Sequence, residues 1–344
     1  MSTNEKLIFI VEKFKGKRVL VIGDIMLDKS IRGDVSRISP EAPVQVVNVD
    51  KEEYMPGGAA NVAANIAALE GSVYIAGTVG NDEMSKVLIE ELKKRDIGIG
   101  YLVKDDTRPT ITKIRVIARS QQLLRIDYEK DHPLDISHEK KIIEELGKLI
   151  AESDIVIVSD YGKGLLSKNL MANIVSIAKE NGKYMIVDPK PVHRGYYYGC
   201  SLMTPNYDEA CMMSMLEEEQ WKDIMNIGEA LVKKYKSDVL ITRGERGMSL
   251  FKKDGGDEHI PTKAVEVYDV TGAGDTVVAA LSLAIASGAT LEEAAMIANH
   301  AAGVVVGKIG TSIVTAKEII KGIKRDNDNN GNSNGNGYGS HAKK

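Results

Sequence analysis

Short runs of β-branched and aliphatic residues alternate along the chain with longer stretches whose apolar positions recur at helical spacing. Residues 18–22, 154–158, 184–187 and 239–242 read as strands that are apolar on both faces, as strands buried between two layers must be. Helical spacing fills 59–69, 84–95, 138–152, 168–180 and 221–235. This alternation predicts an α/β fold with a mostly parallel central sheet and helices on both faces, in which ligands gather at the carboxyl ends of the strands. Two stretches, 43–50 and 101–128, carry period-two patterns with no helix between them. They predict a small β flap, from about 31–55 and 100–128, that could serve as a lid and exclude water from a transfer reaction. Thr290-Leu-Glu-Glu293 and Thr315-Ala-Lys-Glu318 are capping boxes that mark helix starts. Residues 326–344 are almost all Asn, Gly, Asp and Ser, too polar to offset the entropy of ordering, so one domain over 1–325 followed by a disordered tail is expected.

Composition narrows the function. The 344 residues include 45 basic and 49 acidic side chains, a net charge of −4 that gives no reason to expect nucleic acid as a partner. Cys200 and Cys211 form no CxxC pair and stand near no histidine cluster, so neither a disulfide framework nor a structural zinc site is indicated. No run approaches the ~18 apolar residues of a membrane span, and residues 1–16 interleave charge with apolar positions, unlike a signal peptide. A soluble cytoplasmic protein with no membrane partner is expected.

Four segments carry candidate chemistry. Asp269-Val-Thr-Gly272-Ala273-Gly274-Asp275 runs directly into an apolar helix, so small residues leave the backbone N–H groups of a helix N-terminus uncovered for an anion. Asp275, in the first turn, could accept a proton from a substrate hydroxyl while that N–H cluster holds a phosphoryl group; alternatively it only caps the helix. Pro56-Gly57-Gly58-Ala-Ala-Asn61 opens a second helix, where glycines allow close approach and Asn61 offers a donor and an acceptor to sugar hydroxyls; tight packing is the plainer alternative. Asp24 and Asp28 follow the first strand, where carboxylates can bind sugar hydroxyls or lie solvated at the surface. Asn206-Tyr207-Asp208-Glu209 is either a capping box or, through Asn206 and Glu209, an organiser of the water around Mg²⁺.

The Gly57-to-Asn61 entry and the Asp269-to-Asp275 turn together resemble the two signatures of the ribokinase-like, or PfkB, carbohydrate kinases, in order and at about their usual separation. Residues 36–43, Thr110-Ile-Thr-Lys113, Gln121-Gln122, Ser159-Asp160-Tyr161 and 304–311 further resemble the D-glycero-β-D-manno-heptose 7-phosphate kinases. The resemblance extends over about 15–323. It implies Asp275 as catalytic base, Gly272, Ala273 and Gly274 as anion hole, and Asn206, Tyr207, Asp208 and Glu209 beside ATP and magnesium. It also implies Thr242, Gly244, Gly247 and Asn299 around the nucleotide, and Asp24, Asp28, Gly57, Gly58 and Asn61 around the sugar. The family's first signature has Gly or Ser where this chain has Glu70, with Gly71 one place later. The implied reaction transfers the ATP γ-phosphoryl group to the anomeric hydroxyl of heptose 7-phosphate, toward nucleotide-activated heptose for surface polysaccharide. Some members carry a fused adenylyltransferase with an H-x-G-H motif; the six histidines here never show that spacing, so a stand-alone kinase is expected.

A substrate that already bears a phosphate needs cations at the sugar end. Strand alternation, absent a bulge, puts Lys113, Arg115 and Arg119 on one face of the flap, with Arg125 on the next strand. An Arg fork fits phosphate oxygens, although the same residues could be a solvated outer face. Kinases of fructose 6-phosphate or ribose are the nearer alternatives, and a non-catalytic sugar-binding regulator the more distant one. A homodimer is expected, paired through the flap.

Overall fold

The computed structural model describes residues 2–119, 121–264, 267–308 and 313–333. Helix α1 (Thr3–Glu12) starts from a reciprocal Ser2–Glu5 cap and lays Leu7, Ile10 and Val11 on the core. Strand β1 (Arg18–Gly23), buried after its first residue, leads through Asp24 into the long β2 (Ile25–Ile38), which turns back as β3 (Gln45–Gly58). There follow α2 (Ala59–Ala68), β4 (Ser72–Gly80), α3 (Glu83–Lys93), β5 (Gly98–Asp105) and the hairpin β6 (Ile111–Ala118) with β7 (Gln121–Tyr128). The next βα units are α4 (Ile136–Glu152), β8 (Ile155–Ser159), α5 (Lys168–Glu180), β9 (Tyr184–Asp188) and β10 (Leu202–Met203). Then come α6 (Tyr207–Ser214), α7 (Ile224–Tyr235), β11 (Asp238–Thr242), β12 (Met248–Phe251) and β13 (Asp257–Ile260). Helices α8 (Ala273–Ala286), α9 (Leu291–Val305) and α10 (Ala316–Ser333) close the chain.

Among the described residues the strands form a nine-stranded sheet, in the order β13-β12-β11-β10-β9-β8-β1-β4-β5, and a four-stranded sheet, in the order β3-β2-β6-β7. The large sheet is parallel except for the antiparallel edge β11-β12-β13. Alternation along β1 explains its two core layers. Val19 and Val21 pack with α2, α8 and α9, while Leu20 and Ile22 pack with α4 and α5 on the other face. Each such aliphatic contributes roughly 1.5–3 kcal/mol by leaving water, so the strand carries no polar residue between Arg18 and Gly23.

The small sheet is the flap, with corrected limits. It begins at Ile25, and residues 98–105, expected in it, belong to the large sheet as β5, paired in parallel with β4. As an edge strand, β5 packs Ile99 and Leu102 on one core layer and Tyr101 and Val103 on the other while leaving all four partly exposed, which imitates a flap strand. Part of the expected tail is helical. Helix α10 continues through 326–333, its Asp326 paired with Lys263, because extending a nucleated helix adds one hydrogen bond per residue ordered. The expected disorder of 334–344, and residues 309–312 of the Val304-to-Thr311 motif, lie outside the described residues. Both late capping boxes form. No described helix is long and apolar enough to cross a membrane.

The departure at Glu70 has a visible consequence. Helix α2 ends at this point, and Glu70 adopts φ +67, the left-handed conformation that a small residue enters more easily. Gly71 is held as glycine by close approach, since a Cβ there would lie 2.7 Å from Ile66 Cγ2.

Candidate active site

Helix α8 begins at Gly272, whose φ of +78 no β-carbon favours and which supplies no side-chain cap. Asp275 is buried in the first turn. Its carboxylate accepts from Tyr161 Oη at 2.6 Å and from Asn61 Nδ2 at 2.5 Å. These partners come from other elements, so its hydrogen bonds serve the site and do not cap the helix. Asn61 is itself fixed by a polar stitch between α2 and α8. Asn65 Nδ2 donates to Asn61 O at 2.9 Å, and Thr276 Oγ1 donates to Asn65 Oδ1 at 2.9 Å. Burial pushes the Asp275 carboxyl up to about 6 against those two hydrogen bonds; the Asp28 charge adds to the rise and Lys190 moderates it. A carboxylate poised there is ionised at neutral pH and basic enough to take a proton.

At the sugar end, β2 and β3 bring Asp28 beside Gly57, where a Cβ would lie 2.7 Å from Asp28 Oδ2. Arg115 on β6 donates to Asp28 Oδ1 at 2.5 Å. Asp28, Gly57, Gly58 and Asn61 are thus brought together with Asp275. Asp24 is not. Its side chain is buried and accepts from the backbone N–H of Tyr161, Lys163 and Leu165 at 3.0, 3.0 and 3.2 Å. Burial raises its carboxyl while those donors pull it down. The sequence reading of Asp24 as a sugar ligand is therefore corrected: it anchors the loop after β8. Gly58, at φ +56, has no room for a side chain, since a Cβ there would lie 2.6 Å from Asp24 O.

A polar cavity of about 190 Å³ adjoins Asp275, lined by Tyr161, Asp188, Lys190, Asn206, Glu209 and Gly274 among others. A larger, apolar cavity of about 380 Å³ continues from it past Gly244, Gly247, Val267, Asn299 and Val306. Thr242, Gly274 and Val277 line both. Asn299 Nδ2 donates to Pro261 O at 2.6 Å, tying α9 to the strand end. Asn206 and Glu209 do form the reciprocal cap of α6, but only one Glu209 oxygen is used for it; the other holds Lys190. Capping and a cavity role therefore coexist. Helical spacing puts Asn206 and Glu209 on the cavity side and turns their neighbours away. Tyr207 and Asp208, expected beside the nucleotide, line neither cavity, and Tyr207 Oη is bonded to Trp221 O at 2.6 Å.

The flap cations divide. Lys113, Arg115 and Arg125 share a face, with Lys113 paired to Asp127 and Glu129 and Arg125 to Asp127. Arg119 does not join them. Strand β6 ends at Ala118, the register slips between Val116 and Ile117, and Arg119 turns at φ +48 to meet Asp34, 71% exposed. Sequence reasoning missed Asp188, the last residue of β9, and Lys190 just beyond it, where the strand-end rule could have found them. Burial, then the charges of Asp275 and Glu209, push the Asp188 carboxyl well up. Burial works against the Lys190 charge, yet Glu209, Asp188 and Asp160 outweigh it and hold the ammonium above its usual range.

Residues 17–318 match the model of the pfkB family carbohydrate kinases. The chain belongs to that family. As such it is an ATP-dependent carbohydrate kinase that works with Mg²⁺. It is 44% identical over 309 residues to the bifunctional protein HldE of Helicobacter hepaticus, covering 89% of this chain and 64% of that one. The bifunctional protein HldE of Azorhizobium caulinodans is likewise 44% identical over 308 residues, with the same coverage. The chain thus spans 64% of the length of these curated relatives. Arabidopsis thaliana ribokinase complexed with ribose and ATP superposes with a TM-score of 0.70 at 21% identity, covering 90% of this kinase and 99% of that chain. Escherichia coli phosphofructokinase-2 in complex with potassium does so with a TM-score of 0.74 at 19% identity, with the same coverage. Both likenesses confirm the ribokinase-like fold.

Proposed function

We propose that this kinase transfers the γ-phosphoryl group of ATP to the anomeric hydroxyl of D-glycero-β-D-manno-heptose 7-phosphate, giving the 1,7-bisphosphate for nucleotide-activated heptose. The observation that carries the transfer is Asp275, a buried carboxylate held by two side-chain donors at an uncovered helix N-terminus between the sugar end and the polar cavity. Asp275 takes the hydroxyl proton as that oxygen attacks phosphorus. The backbone N–H groups of Gly272 and Gly274 stabilise the charge on the moving phosphoryl group, while that of Ala273, expected with them, donates to Val270 O at 3.2 Å. The adenine occupies the apolar cavity past Gly244, Gly247 and Asn299, and the phosphates pass Thr242 into the polar one.

Magnesium keeps most of its waters and takes one or two carboxylates. Glu209 and Asp188, with Asn206 beside them, fit that demand, and among the described residues no cluster could enclose the ion in protein ligands alone. The ion, when bound, offsets phosphate charge; Glu209 and Asp188 would orient its water shell.

The sugar is supported by the heptose-kinase motifs and by 44% identity to relatives named bifunctional protein HldE. Arg115 and Lys113, on the flap face that carries Asp28's partner, supply cations for the distal phosphate once they exchange carboxylate for phosphate oxygens. A reducing, cytoplasmic setting is supported by Cys200 and Cys211, both buried and unpaired. A coupled assay against heptose 7-phosphate, fructose 6-phosphate and ribose tests the assignment. Heptose 7-phosphate should give the highest kcat/KM, and preference for either other sugar would overturn it.

A further inference from the structure

We propose that Tyr161 is a positioning residue for the base: its phenol O–H holds Asp275 aimed at the acceptor hydroxyl, and two buried carboxylates beneath its loop make that hold rigid. The inference rests on the reading of Asp275 as base. Tyr161 follows β8 in a loop that could have been an ordinary surface connection. Instead Asp24 binds three of its backbone N–H groups, those of Tyr161, Lys163 and Leu165. Asp160, on the other side of Tyr161, accepts from Gly162 N at 2.7 Å, Tyr197 Oη at 2.5 Å and His193 Nδ1 at 2.7 Å. Its own N–H donates to Asp188 O at 3.0 Å. Both carboxylates are at most 3% exposed. Burying two such groups is unfavourable unless each is fully hydrogen-bonded, and the residue both fix in place is Tyr161.

Toward the Asp275 carboxylate the phenol can act only as a donor. Burial, then the charge of Asp275, push its ionisation well above the ordinary tyrosine range, so it keeps its proton through the reaction. Tyr161 engages Asp275 Oδ1 and Asn61 engages Oδ2, and each oxygen retains a lone-pair direction for the incoming hydroxyl. The acceptor O–H proton passes to Asp275, a new O–P bond forms, and the bond from phosphorus to the β–γ bridging oxygen breaks with its electrons leaving on ADP. The other charges facing Asp275 are Asp28 from β2, and Asp188 and Lys190 from the end of β9.

Tyr161→Phe removes one oxygen atom. Kinetics are run with whichever of heptose 7-phosphate, fructose 6-phosphate and ribose the wild type phosphorylates. The hydrogen bond lowers the base's pKa, so without it the midpoint of the acid limb of kcat should rise by about one pH unit. The plateau should fall by about tenfold or less with KM for ATP unchanged. Asp275→Asn, assayed alongside, tests the base itself: if it retains turnover the base assignment falls, whatever Tyr161 does. If Asp275→Asn is inactive while Tyr161→Phe leaves the midpoint in place, Tyr161 is merely structural and the proposal falls alone. Should Tyr161→Phe not fold, site-specific 3-fluorotyrosine at 161 keeps the ring and strengthens the donor. It should move the midpoint down, and an unmoved midpoint would overturn the proposal.

Discussion

Asp275 is a carboxylate whose usefulness and cost to stability have one origin. Because burial lifts it to about 6, kcat should fall as pH drops through that value, and a profile flat down to pH 4.5 would remove Asp275 as base. The same shift has a stability sign. The folded state favours the protonated acid more than the unfolded chain does, so the stability this group contributes is present below about pH 4 and is lost as pH rises through about 6. Asp275→Asn is neutral throughout. It should lower turnover by roughly 10²–10⁴ and yet be more stable at pH 7.5 by on the order of 1–3 kcal/mol, read as a higher melting temperature, with the advantage vanishing below pH 4. Equal melting temperatures at pH 7.5 would count against the raised pKa. Asp275 was legible because its Gly-Ala-Gly neighbours advertise an open helix start. Asp24 misled because both roles, sugar ligand and loop anchor, ask for a carboxylate after a strand; which way it points depends on a loop 137 residues later in the chain. Lys190 and Asp188 sit in no Gly-rich signature, and their place at a strand end was their one mark in the sequence.

At the scale of elements, one glutamate shapes the start of α6 and another the exit from α2. Glu209 completes the α6 cap with one oxygen and holds Lys190 with the other. Gln keeps the capping oxygen, so Glu209→Gln should barely move the melting temperature while raising the magnesium concentration for half-maximal rate. Glu209→Ala should do both, losing about 0.5–2 kcal/mol. If Gln and Ala variants lose equal stability at an unchanged magnesium requirement, Glu209 is a cap alone. Glu70 ends α2 in the left-handed region, where a non-glycine residue costs roughly 1–2 kcal/mol. Glu70→Gly should therefore raise stability by about 0.5–1 kcal/mol after the added freedom of the unfolded chain, without changing kcat, and thermal unfolding reads it directly. Strands apolar on both faces were legible with limits close to those observed. The edge strand β5 was not, since its residues stay partly exposed on both faces, as those of a flap strand would.

Across the whole molecule, the flap has two unlike faces. Lys113, Arg115 and Arg125 lie on one, while Ile114, Val116, Leu124, Ile126 and Tyr128 fall on the other by strand alternation. Leu124 and Tyr128 are each 54% exposed, an apolar surface that a single chain leaves open to water. We expect a homodimer through this face: light scattering should give a dimer for the wild type and a monomer for Leu124→Glu/Ile126→Glu, and a monomeric wild type would refute the pairing. The flap was foreseen from period-two patterning, but Arg119's departure from it was not, because a register slip leaves no mark in the residue types. ³¹P NMR of the enzyme with ATP, Mg²⁺ and heptose 7-phosphate tests the proposed phosphoryl transfer most directly. A sugar 1,7-bisphosphate should appear, its new phosphorus coupled to the anomeric proton, with one ADP formed per product. Unchanged heptose 7-phosphate in a preparation that phosphorylates another sugar would contradict it.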